Sequence, residues 1–234
     1  VGACACFKIK RSGADAGSGM IQLNLGQSAA KELTILCLGA HSDDIEIGCG
    51  GTVLRLAAQY PGSAFHWVVF SAAGIRETEA RQAATLFAGN ALRETALKAF
   101  RDGFMPFFGA EVKQVFEELK RVSPDLIFTH NRADAHQDHR LLSELTWNTF
   151  RDHLILEYEI PKYDGDLGRP NVFVPLETET YQKKVSYLME AFPSQRPKDW
   201  FEESTFLSLM RLRGMECRAP SGYAEAFYCR KLVL

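Results

Sequence analysis

The chain has 234 residues, with 27 Lys and Arg against 29 Asp and Glu and a formal net charge of -2. That balance gives no general attraction to nucleic acid or an anionic membrane, and no apolar stretch reaches the ~18 residues of a membrane span. A hydrophobic share of 46% suits one globular domain with a sizeable core. No signal-peptide apolar core precedes the first predicted strand. The 6 cysteines, at positions 4, 6, 37, 49, 217 and 229, contain no CxxC pair. They read as reduced thiols, which sets the expectation of a cytoplasmic protein, with Cys4 and Cys6 unexplained.

Residues 1–20 are rich in Gly, Ala and Ser without periodicity. They are set aside as disordered, or as foreign to a native chain starting at Met20, which leaves 21–234 as the domain. The apolar run Leu33 to Leu38 predicts the first strand. His41, Asp43 and Asp44 follow it, then the glycine cluster Gly48-Cys49-Gly50-Gly51, then a helical pattern from near Gly51 to Gln59. Polar groups at the carboxyl end of such a strand stand where open α/β sheets bind ligands. His41 and Asp44 are separated by two residues, so one turn aims both at a single cation. Asp43 must then point elsewhere, a carboxylate beside the metal but off it. The glycine cluster lacks the GxGxxG spacing of a dinucleotide loop.

Phe65 to Phe70 is a continuous apolar run, expected for a parallel strand covered on both faces, and His66 within it reads as a core or interface histidine. Glu77 to Phe87 carries a helical pattern, and Arg76 just before it is a candidate substrate contact. Val112 to Val122 predicts an amphipathic helix, closed by Pro124 before a strand over Leu126 to Thr129. A second polar cluster follows: His130, Asp134, His136, Asp138 and His139, with a helix starting near Gln137 and continuing through Leu141 to Phe150. His136 and His139 lie at i and i+3, on one side of a turn. Two polar strand ends in one parallel sheet converge at the same edge. His41, Asp44 and one of these histidines would give three protein ligands and an open position, the pattern of a catalytic zinc site. His130 and His153 read as structural, His130 also as a support behind the ligands.

After Phe150 the pattern changes. His153 to Ile160 alternates in part, and Tyr163 to Pro175 is rich in Gly, Pro and Asp, a candidate irregular wall of a substrate pocket. Thr178 to Phe192 and Phe201 to Gly214 predict helices, and Ala224 to Leu234 a last strand. Strand–helix alternation with short connections predicts a Rossmann-like, doubly wound, mainly parallel α/β sheet with helices on both faces, in a single domain with an irregular C-terminal subregion.

The pair AHSDD (40–44) and AHQDH (135–139) resembles the AHPDD and HPDH signature of the PIG-L (LmbE-like) zinc-dependent N-acetylglucosamine de-N-acetylases. The likeness runs from about Leu33 to the segment Tyr223-Ala-Glu225-Ala-Phe227. Ser42 and Gln137 stand in place of the usual prolines, and Ile45 where Glu is frequent. The resemblance implies His41, Asp44 and His139 as metal ligands, Asp43 as general base and His136 as the histidine facing the substrate carbonyl. Asp138 would fix the tautomer of His136, support His139, or cap the helix. Asp102, in Phe100 to Phe104, is similar to an aspartate that holds sugar hydroxyls, and Arg76 joins it as a substrate contact. The implied cofactor is zinc, or another divalent metal such as Fe2+. The implied partner is a small-molecule N-acetyl amino sugar conjugate, with no nucleic acid and no membrane insertion; a homo-oligomer stays open. Two alternatives come from other classes: a non-haem iron enzyme using two histidines and a carboxylate, and a catalytically inactive sugar-binding relative.

Overall fold

The computed structural model describes Leu25 and residues 32–233; the segment 1–20 set aside above, with Cys4 and Cys6, lies outside them. The described elements run β1 (Thr34–His41), α1 (Asp44–Gln59), β2 (Ala64–Ser71), α2 (Ile75–Ala88), β3 (Leu92–Leu97), α3 (Gly109–Leu119), β4 (Leu126–His130), α4 (Gln137–Thr149), β5 (Leu154–Tyr158), β6 (Val172–Pro175), α5 (Thr178–Ala191), α6 (Glu203–Glu216) and β7 (Ala224–Tyr228). They build one seven-stranded sheet in the order β3-β2-β1-β4-β5-β7-β6. Pairing is parallel from β3 to β5 and antiparallel where β7 meets β5 and β6.

The strand period of two explains the two cores. On β1, Ile35 and Cys37 pack with Val53, Ala80, Val185 and Met210 of α1, α2, α5 and α6. Leu36, Leu38 and Ala40 turn to the opposite face, against Val112 and Phe116 of α3 and Leu142 of α4. Burial on both faces makes β1 read as an unbroken apolar run. β1 and β4 are direct neighbours, and the chain leaves them toward opposite edges of the sheet. Their carboxyl ends, at His41 and His130, therefore border the crevice at the switch point.

Several boundaries differ from the sequence-based expectation. Helix α1 begins at Asp44 rather than near Gly51, so the glycine cluster lies inside it. A Cβ at Gly48 would overlap the Tyr158 ring, and one at Gly50 the Phe87 ring. These glycines let α1 approach its neighbours, although each costs about 1 kcal/mol in helix propensity. The 163–175 segment is not irregular throughout, because Val172–Pro175 forms β6 on β7. The last strand stops at Tyr228, and β3, with the polar sequence LRETAL, was not anticipated. Among the described residues no helix is long and apolar enough to cross a membrane.

Candidate metal centre

His41 closes β1 and Asp44 opens α1, three residues on. His139 sits in the first turn of α4, reached from β4 through the loop 131–136. Three donor atoms meet there. His41 Nδ1 is 3.1 Å from His139 Nε2 and 3.4 Å from Asp44 Oδ2, and His139 Nε2 is 3.6 Å from the same oxygen. A tetrahedral zinc ion with bonds of about 2.0–2.1 Å holds its ligand atoms about 3.3–3.4 Å apart. The triangle fits such an ion. The far ring nitrogens fit it too, since metal-binding histidines turn the other nitrogen to a carboxylate. His139 Nδ1 is 2.9 Å from Asp134 Oδ2, and His41 Nε2 lies 2.9 Å from Asp102 Oδ1 and 3.4 Å from Asp138 Oδ2. Overlapping groups of the same cluster could also hold an ion: His41, His136 and His139; His41, Asp102, His136 and Asp138; and Asp44, His130 and His139.

Electrostatics follow from this crowding. Burial pushes the Asp44 carboxyl up, but His139, His130 and His41 around it hold it well below the usual carboxylate range. The backbone N–H of His41 donates to Asp44 Oδ2 at 2.6 Å and fixes that oxygen. Burial disfavours charge on His41, yet Asp44, with Asp102 and Asp138, raises its pKa well above the ordinary value. His139 is lowered, by burial and then by repulsion from His130.

Asp43 is buried beside this triangle and does not join it. Its Oδ1 accepts from Arg76 Nη2 at 2.7 Å, and burial, opposed by that guanidinium, leaves its pKa raised. Arg76 is itself held by Glu79 at 2.9 Å and lies over the Phe192 ring. So Arg76, anticipated on the substrate, has its guanidinium on two carboxylates, one of them Asp43.

His136 caps α4, and its Nδ1 accepts the backbone N–H of Asp138 at 3.3 Å. That leaves Nε2 to carry the proton of the neutral ring, and burial with repulsion from His139 and His41 lowers its pKa. The tautomer of His136 is thus set by the main chain of Asp138. The carboxylate of Asp138 accepts from Gly103 N at 2.8 Å and Met105 N at 3.1 Å, tying down the loop that carries Asp102. Support of His139 falls to Asp134.

Two further residues build the site: His130, anticipated only as a support behind the ligands, and Asp134, to which the sequence reading gave no role. His130, fully buried at the end of β4, stacks on His139 with ring centroids 3.9 Å apart and brings Nε2 to 3.2 Å from Asp44 Oδ2. It ends β4 as His41 ends β1, a signal present in the sequence. Asp134 lies five residues before His139 on a loop whose path no periodicity gives. Burial pushes its carboxyl up, but the bond to His139 and the nearby charges of His139, His130 and Lys162 hold it well below the usual range. Lys162 Nζ is 3.0 Å from it. His66 lies away from the centre, against Glu94 Oε2 at 3.2 Å.

A model of the GlcNAc-PI de-N-acetylase family, PIG-L, matches residues 36–150. The chain is 29% identical over 175 residues to the uncharacterized deacetylase YaiS of Escherichia coli K12, spanning 69% of this chain and 91% of that protein. Among solved structures, N,N'-diacetylchitobiose deacetylase from Pyrococcus horikoshii superposes with a TM-score of 0.68 at 21% identity, covering 86% of this chain and 84% of that one. GalB, the 4-carboxy-2-hydroxymuconate hydratase of Pseudomonas putida KT2440, gives 0.66 at 19% identity, covering 87% and 98%. At those identities the structural likeness speaks for the fold, which hosts more than one reaction. Both polar runs of the site, 40–44 and 135–139, fall inside the matched segment, and over it the chain resembles the PIG-L family of deacetylases.

Proposed function

We propose that the chain is a metal-dependent N-deacetylase that hydrolyses the acetamide of an N-acetylated amino sugar conjugate. The observation that carries this reading is the division of labour between neighbours: Asp44 Oδ2 joins His41 and His139 in the donor triangle, while Asp43 turns away to Arg76. His41, Asp44 and His139 would hold the cation, zinc in the first instance with Fe2+ as alternative. Such an ion, when bound, polarises the carbonyl and acidifies water.

Asp43 then takes the water proton and later delivers it to the departing amine. Its Oδ1 is engaged by Arg76, so Oδ2 is the oxygen that moves the proton. A raised pKa brings this base nearer to neutrality, where general acid–base catalysis works best. His136 donates from Nε2–H to the oxyanion that develops on the acetyl oxygen, a contribution of about 3–4 kcal/mol when one such donor is lost. Asp102, 73% exposed at the rim, holds sugar hydroxyls, and the partly exposed Arg76 is the second substrate contact. Asp138 keeps the Asp102 loop at that rim.

Acetate release from a panel of N-acetylhexosaminides tests the reaction. Asp43→Asn keeps metal content near wild type and loses about 10²–10⁴-fold in turnover; Asp44→Asn loses the metal, and added zinc partly restores activity. If Asp43→Asn loses metal while Asp44→Asn keeps it, the roles are reversed. Sugar binding without acetate release points to an inactive relative, and oxygen uptake with iron to the facial-triad alternative.

A further inference from the structure

The glycine-rich part of α1 receives an ion pair in the middle of the helix. Glu225 of β7 and Lys184 of α5 are both buried, at 4% and 2% exposure. Glu225 Oε1 accepts from Gly51 N at 2.8 Å, and Oε2 accepts from Thr52 N and Thr52 Oγ1, each at 2.6 Å. Lys184 Nζ donates to Glu225 Oε1 and to the carbonyl of Ile47, each at 2.6 Å. In a regular helix the N–H of residue 51 bonds the carbonyl of residue 47. Here the carboxylate meets that N–H and the ammonium meets that carbonyl, so the ion pair bridges the two ends of one rung. A Cβ at Gly51 would lie 2.5 Å from Leu176 Cδ1 and 3.0 Å from Glu225 Oε1, so glycine stands there.

The rung divides α1 into two parts. Ahead of it is the single turn from Asp43 to Ile47, closed by Ile47 N on Asp43 O at 3.0 Å and carrying both Asp43 and Asp44. Behind it, the N–H groups of Gly51 and Thr52 meet a carboxylate, as at a helix N-terminus. We infer that Lys184 and Glu225 are positioning residues. They hold the first turn of α1, through Ile47, in the register that brings Asp44 to His139. The inference rests on the metal reading of the site.

Co2+ binding to the full chain tests it, read by competition with a chelator and by the visible absorption of the bound ion. Two variants keep the buried charges balanced, so that neither leaves an orphaned ion. The double variant K184M/E225Q removes both charges at nearly constant volume. E225D keeps both charges but withdraws the carboxylate from Gly51 and Thr52. Both are expected to melt cooperatively, to bind Co2+ about 10–100-fold more weakly, the loss typical when supports of metal ligands are removed, and to show a shifted Co2+ band. A pair serving only to neutralise buried charge predicts wild-type affinity in E225D. Wild-type affinity and spectrum in either folded variant overturn the inference. A wild-type chain that binds no divalent metal refutes the proposed metal centre itself.

Discussion

Glu46 occupies the first turn of α1 with no exposed surface. Neither carboxyl oxygen has a hydrogen-bond partner elsewhere among the described residues. Burial raises its pKa well above the ordinary value, and the charges of Asp43 and Asp44 add to the rise. A folded-state pKa above the unfolded one means that the native chain keeps a proton the unfolded chain has lost. Stability therefore falls as pH rises from the ordinary glutamate value, about 4.3, toward the native value. Within that window the loss is about 1.4 kcal/mol per pH unit. Glu46→Gln fills nearly the same volume and cannot ionise, so it should match the wild type near pH 4 and gain on it as pH rises. For a chain of this size the gap should widen by about 3–6 °C in Tm per pH unit. Thermal unfolding of both proteins across pH 4 to 8 with excess chelator measures it. A gap that stays constant or shrinks with pH would mean that the native carboxyl ionises normally and refute its burial without a partner.

Two further outcomes follow from named contacts. Asp134→Asn removes the carboxylate from His139 Nδ1 and should weaken zinc binding about 10–100-fold while leaving far-UV dichroism unchanged; undiminished affinity would show that His139 needs no such support. Gly48→Ala should cost about 1–3 kcal/mol by overpacking against Tyr158, despite the better helix propensity of alanine, and a denaturant midpoint at or above wild type would refute the close approach.

Much of this was legible because strand and helix periods are local. Leu33 to Leu38 and Phe65 to Phe70 announced covered parallel strands, and the two polar runs after strands pointed to His41, Asp44 and one of His136 and His139 in one crevice, the choice of His139 coming from the family resemblance. What failed was decided by distant partners. The glycine cluster read as a turn because its reasons for being helical, Tyr158, Phe87 and Glu225, lie far along the chain. Strand β3 read as nothing because an edge strand needs no unbroken apolar run. The grip of Arg76 on Asp43 and Glu79 was not legible either, because it belongs to side-chain geometry.

The donor triangle joins residues 98 positions apart, since His41 comes from the β1 unit and His139 from the β4 unit. Neither half can offer three donors alone, so chelation strength is withheld until β1 and β4 lie side by side. An ion bound there selects for the assembled sheet over every partly folded state that has formed only one half. At a free concentration a hundred times its Kd it adds about 2.7 kcal/mol to the native state. The strand pair that builds the crevice closes a loop of about a hundred residues, whose entropy no local contact offsets. Occupancy of this site thus doubles as a record of whether the β1 and β4 units have come together.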